Sequence, residues 1–102
     1  MKTLHDRVRA EEAMYANRQA AEFAVWAGGL RRLGEWAARE MMGPNAPAVA
    51  EYAQALVRSG VAGMDAFKAV ADDLSAAGKA SDPAILQSRF SEFLEEARAR
   101  NA

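Results

Sequence analysis

This chain holds few residues that suit a β-sheet. Val8, Val25, Val49, Val57, Val61, Val70, Ile85 and Thr3 are all of its β-branched residues, and pleated strands draw on such residues to pack their faces. Alanine supplies much of the 51% hydrophobic fraction instead. It is the strongest helix former and loses no side-chain entropy on folding. The chain is therefore expected to be all-α. Its 102 residues make one domain with room for a single modest core. The 26% charged content set against that apolar fraction is a globular balance.

Breakers and apolar spacing divide the chain into four helices. The first runs from about Leu4 to Met42, in one piece or two, with Phe23, Trp26, Ala27, Leu30, Leu33, Ala37 and Met41 on one face. Gly28 and Gly29 interrupt it; each costs about 1 kcal/mol relative to Ala, and they mark either a kink or a close approach by another helix. Gly43-Pro44 ends the helix, because Gly suits the C′ position and Pro cannot continue. Asn45 is the expected N-cap of the second helix, with Pro47 in its first turn. Val49, Tyr52, Ala53, Leu56 and Val57 form its inner stripe, and Ser59-Gly60 stops it. The third covers about Met64 to Ala77, with Met64, Phe67, Val70, Ala71 and Leu74 inward, and Gly78 ends it. Ser81-Asp82-Pro83 starts the fourth, which turns Leu86, Phe90, Phe93, Leu94 and Ala97 to one side. Short connections favour antiparallel neighbours. The expected architecture is a four-helix bundle with a long first helix and a mobile N-terminal arm.

Several functional classes find no support. The net charge is −1 and the arginines are scattered, so no phosphate-binding patch forms and nucleic acid is not an expected partner. There is no cysteine, which removes disulfide, zinc-ribbon and thiol chemistry. No secretory h-region follows Met1, and the longest strongly apolar stretch, Phe23 to Leu30, is far short of a membrane span. A soluble, intracellular protein without direct membrane insertion is expected. His5 is the only histidine and has only Asp6 beside it. No nucleophile elbow or Gly-rich loop surrounds any serine. Asp72-Asp73 and Glu95-Glu96 are helix neighbours pointing apart, so no catalytic residue and no metal ligand is expected, and the protein is not read as an enzyme.

What remains is the N-terminal segment. A bundle can be built from residues 21 to 99 alone, and Leu4, Val8, Met14 and Tyr15 make only a thin apolar stripe. Such a segment is either a loose terminus or an arm that folds against another molecule. Trp26 and Trp36, ten positions apart, are expected as a core residue and its border, or else one of them is an exposed interface anchor.

The run Asp6-Arg7-Val8-Arg9-Ala10-Glu11-Glu12-Ala13-Met14-Tyr15-Ala16, then Phe23, then Leu33-Gly34-Glu35-Trp36-Ala37-Ala38 resembles the zeta subunit of alphaproteobacterial ATP synthases and its homologues. Ala50-Glu51-Tyr52-Ala53, Phe67-Lys68-Ala69-Val70, Asp73-Leu74-Ser75-Ala76-Ala77-Gly78 and Phe90-Ser91-Glu92-Phe93-Leu94-Glu95-Glu96-Ala97 continue the likeness, with a small deletion around Ser59 to Met64. The resemblance covers nearly the whole chain. It implies a four-helix protein whose N-terminal segment wedges between the catalytic subunits and rotor of the ATP synthase head and stops rotation in the hydrolytic direction.

Carried over by position, Asp6, Arg7, Ala10, Glu12, Tyr15 and Phe23 belong to that arm and its hinge, while Leu33, Gly34 and Trp36 hold the bundle. The division implied is an inhibitory arm at 1–20 and a bundle domain at 21–102. Further implications are a protein that is monomeric when free, cytoplasmic, and peripheral to the inner membrane when bound to ATP synthase. It needs no cofactor beyond a weak contact with adenine nucleotide. Two stretches depart from the family pattern. Asn17-Arg18-Gln19-Ala20 replaces an acidic stretch, and Gly28-Gly29-Leu30-Arg31 replaces Arg-Arg-Asn-Lys, at positions of the charged, surface type. These departures keep two alternatives open: a diverged member acting as a nucleotide-binding regulator, or an adaptor for another protein.

Overall fold

The computed structural model describes the backbone of residues 4–101 and the side chains of residues 18–100. The described chain is four helices: α1 (Leu4–Met42), α2 (Ala48–Val61), α3 (Ala66–Ala76) and α4 (Pro83–Asn101). The all-α expectation holds, and α1 is a single helix of 39 residues. The expected mobility of the arm concerns residues whose side chains lie outside the described set.

α1 is the axis of the assembly. It touches each of the other three helices, whereas α2 and α4 do not touch each other. Gly34 faces Ala53 and Trp26 faces Gly60, so α2 runs back antiparallel along one side of α1. Gly28 faces Ala97 and Gly29 faces Phe90 and Leu94, so α4 does the same on another side. α3 closes the bundle with Val70 and Leu74 buried, and its Phe67 ring meets Phe90 of α4 edge-on at 5.0 Å. Leu30, Leu33, Ala37, Leu56, Ala66, Val70, Leu74 and Leu86 form the core cluster. Each fully buried Leu contributes about 1.5–3 kcal/mol.

Packing on two sides explains a difference from the sequence expectation. One stripe of α1 was expected inward, but Val25, Gly29, Gly34 and Ala38 are buried as well. α1 runs without a break through Gly28 and Gly29, which face α4. A Cβ on Gly34 would stand 2.8 Å from the Ala53 Cα, which leaves no space for any side chain.

The ends of the elements follow local chemistry. Asp65 caps α3 by accepting the Lys68 N–H at 3.1 Å, and Asp82 accepts the Ala84 N–H at 2.9 Å ahead of α4. Three expectations need correction. Asn45 is not the N-cap of α2, because Pro47 already has helical angles and the Ala46 carbonyl accepts the Val49 N–H. Ser59-Gly60 does not stop α2. Gly60 lies within α2, where α1 packs so close that Leu30 Cδ1 stands 2.7 Å from its would-be Cβ, and the chain turns at Gly63, whose φ of +88° suits glycine. Met64 then lies ahead of α3, 67% exposed and not inward.

Two α1 substitutions are expected to act with opposite sign. Gly28→Ala meets only Ala97 at an ordinary 3.5 Å, so the helix-propensity gain of up to about 1 kcal/mol is realised. Gly34→Ala must push α2 away and costs about 1–3 kcal/mol through overpacking. Denaturant unfolding of the two variants beside the parent measures both.

Candidate functional site

Of the residues singled out as partner contacts, Asp6, Arg7, Ala10, Glu12 and Tyr15 have side chains outside the described set. Phe23 is the one the structure places. It is 54% exposed, and its ring lies 5.8 Å from that of Trp26 at an angle of 43°. Trp26 is half-buried. One face of it packs on the core cluster, its far edge meets Gly60 of α2, and the rest is open. The sequence left two readings, Trp26 in the core with Trp36 at its border or one of them an exposed anchor; both are half-buried and pack at the border of the core. Trp36 is half-buried too, with the Arg89 guanidinium over its ring at 5.6 Å.

Beside Trp26 a groove of about 480 Å³ opens between α1 and the last turns of α4. Val25, Trp26 and Leu94 give it an apolar floor, and Arg18, Glu22 and Arg98 stand around it. A second hollow of about 280 Å³ adjoins along α1, where Gly28 supplies no side chain. Arg31, Arg32, Glu35 and Arg100 border it. Arg32 is held in place, bonded to Glu96 of α4 at 2.6 Å and lying over the Phe93 ring at 5.6 Å. With both partners partly exposed, that ion pair contributes little beyond about 1 kcal/mol. Its main effect is to fix the α1–α4 register. Arg31 and Arg100 are exposed and form no ion pair among the described residues.

A family model described as ATPase inhibitor subunit zeta matches residues 1–100. The chain belongs to the ATPase inhibitor subunit zeta family. No curated protein and no solved structure matches it.

Membership in the zeta family makes this an ATPase inhibitor subunit by descent. The expected likeness to the zeta subunits is thus shown over nearly the whole chain. Leu33 and Gly34, assigned to holding the bundle, are both buried there, at α1's contacts with the core and with Ala53. The departure at 28–31 reads differently in three dimensions. The run was taken as a charged, surface-type stretch, yet Leu30 is 1% exposed, as its place on the apolar face of the helix implied, and Gly29 is sealed by Leu94 and Phe90. Only Gly28 and Arg31 border the hollow. Here the replaced run serves helix packing as much as surface charge.

Among the described residues no group of three His, Cys, Asp or Glu is placed to hold a metal, and no helix is long and apolar enough to cross a membrane. Among the described residues, the one clearly perturbed titratable group is Tyr52, away from the Phe23 end of α1. Tyr52 donates its hydroxyl to Asp73 Oδ2 at 2.7 Å, joining α2 to α3. Burial first, then the hydrogen bond to Asp73 and its negative charge, push the phenol well above its ordinary 10.0. Two exposed apolar residues escaped the sequence reading, Val61 at 56% and Met64 at 67%. The available signal for Val61 was its spacing four residues after Val57, which carries the α2 stripe one turn further, past Gly60.

Because the folded state holds the Tyr52 proton more tightly than the unfolded chain does, the linked stability is complete below about pH 10 and falls as pH rises above it. In alkaline unfolding titrations, Tyr52→Phe should show a shallower loss than the parent over that range. At neutral pH the variant should be destabilised by about 1 kcal/mol for the lost hydrogen bond.

Proposed function

We propose that this chain inhibits ATP hydrolysis by the ATP synthase catalytic head, with residues 1–20 as the blocking arm and residues 21–102 as the bundle that carries it. Burial along α1 supports this reading. Every residue from Arg18 to Ala24 is exposed, and the core begins at Val25. A stretch of helix that seals nothing in its own bundle leaves its side chains available to another molecule. The family match starts at residue 1 and so takes in the arm.

In this reading Asp6, Arg7, Ala10, Glu12 and Tyr15 contact the head, and Phe23 marks the hinge where the helix enters the bundle. A rigid helix lodged between catalytic subunits and rotor stops hydrolytic rotation by steric obstruction, which needs neither a catalytic group nor a cofactor. The inhibitor is a monomer when free. It works in the cytoplasm, peripheral to the inner membrane through its partner, without entering the lipid.

Deleting Met1 to Gln19 should abolish inhibition of ATP hydrolysis by the purified head while cooperative unfolding of the bundle persists. Unchanged inhibition by the truncated chain would sink the arm mechanism.

A second reading, contact with adenine nucleotide, is favoured by the hollow over Gly28. There Arg31 and Arg100 present guanidinium groups without carboxylate partners among the described residues, a donor arrangement that suits phosphate oxygens. Titration of ADP into isotope-labelled protein should move amide resonances around Gly28, Arg31 and Arg100. Shifts that are absent or scattered over the bundle exclude this reading.

A further inference from the structure

The core stripes of α1 and α2 do not end where the bundle ends. On α1 the stripe passes from Leu33 and Leu30, both buried, to half-buried Trp26 and then to Phe23, more than half exposed. On α2 it passes from Leu56, buried, through half-buried Val57 to Val61, which is 56% exposed. The two helices are antiparallel, and Gly60 lies against Trp26, so both stripes emerge at the same end. Met64 joins them. Its N–H donates to the Ser59 carbonyl at 3.0 Å, which holds the exposed residue against the end of α2. Five large apolar side chains are strongly exposed among the described residues; Phe23, Val61 and Met64 lie at this end, Ile85 in the first turn of α4 and Met42 at the opposite end of α1. Scattered exposed apolar residues are ordinary, but a contiguous group at the end of a core marks a contact surface.

The charges around this end have one predominant sign. Arg18 and Arg98 flank the Trp26 groove and Arg58 is exposed in the last turn of α2, none of them in an ion pair among the described residues. Against them stand Glu22 and Asp65, and Asp65 is engaged in capping α3. The side of the bundle from which α1 extends toward Leu4 is therefore apolar at its centre and basic at its rim.

We infer that Phe23, Trp26, Val61 and Met64 form a second docking surface, which seats the bundle on an apolar, carboxylate-rimmed face of the ATP synthase catalytic head. The inference rests on the inhibitory function proposed above and extends it. The arm enters the head, and the surface at its root, continuous with it along α1, fixes the bundle outside. Anchoring at the root holds the arm near its slot and raises its effective concentration there. The basic rim steers the approach.

The test uses the full chain and the purified catalytic head. The double variant Val61→Ser, Met64→Ser removes exposed side chains only, so its unfolding should match the parent, while its Kd for the head should rise about tenfold or more, as loss of an apolar anchor does. Met42→Ser, exposed at the opposite end of α1, should leave Kd unchanged. Arg98→Glu, a second probe that touches no apolar residue, should slow association severalfold at low salt and lose that effect at high salt. An unchanged Kd in the double variant beside an inhibitory parent overturns the docking surface and leaves the arm mechanism standing. A parent that does not bind the head overturns both. Sedimentation showing a dimer that the double variant dissolves would assign the surface to a second copy of the chain and overturn the inference.

Discussion

Gly34 in van der Waals contact with the backbone at Ala53 is the constraint on which the bundle rests. Helix axes come this close only where one partner has no side chain, and α1 offers that on two sides. Gly34 receives α2, while Gly28 and Gly29 receive α4. Close approach brings Leu30, Leu33, Leu56 and Leu74 within reach of one another and lets a short chain bury a dense core from few large residues. The helix-propensity cost of these glycines is offset by the packing they admit.

A central helix flanked on two sides distributes its surface unevenly. Between Val25 and Ala38, α1 is committed to its neighbours; before Val25 it is exposed at every residue from Arg18 onward. The same helix thus holds the core together and extends beyond it. The arginines near the junction serve two purposes. Arg32 is spent on Glu96 and Phe93, fixing α4, while Arg18, Arg31, Arg98 and Arg100 remain at the surface.

The packing also changes how the departure from the zeta-family pattern at 28–31 is read. Replacement of a charged run by Gly28-Gly29-Leu30-Arg31 removes surface charge only at Gly28; Gly29 and Leu30 lie under α4 and in the core. A linear comparison weighs four positions equally, whereas the helix turns them through a full circle.

The sequence by itself determined the helical class, the four elements, the ends at Gly43 and Gly78, the caps at Asp82 and Pro83, and the family, because these depend on propensity, on local hydrogen bonds and on the order of short matched segments. It did not determine which glycines stop a helix and which admit one. Gly60 stays within α2 with α1 packed on it, whereas Gly63 lies past the helix end at φ +88° with nothing near its would-be Cβ. Nor did it show that Trp26 sits at the border, that Met64 faces out, or that two apolar stripes emerge together beside Gly60. Those facts depend on where antiparallel partners begin and end, and a hydrophobic period specifies the face of a helix without specifying how far along it a neighbour reaches.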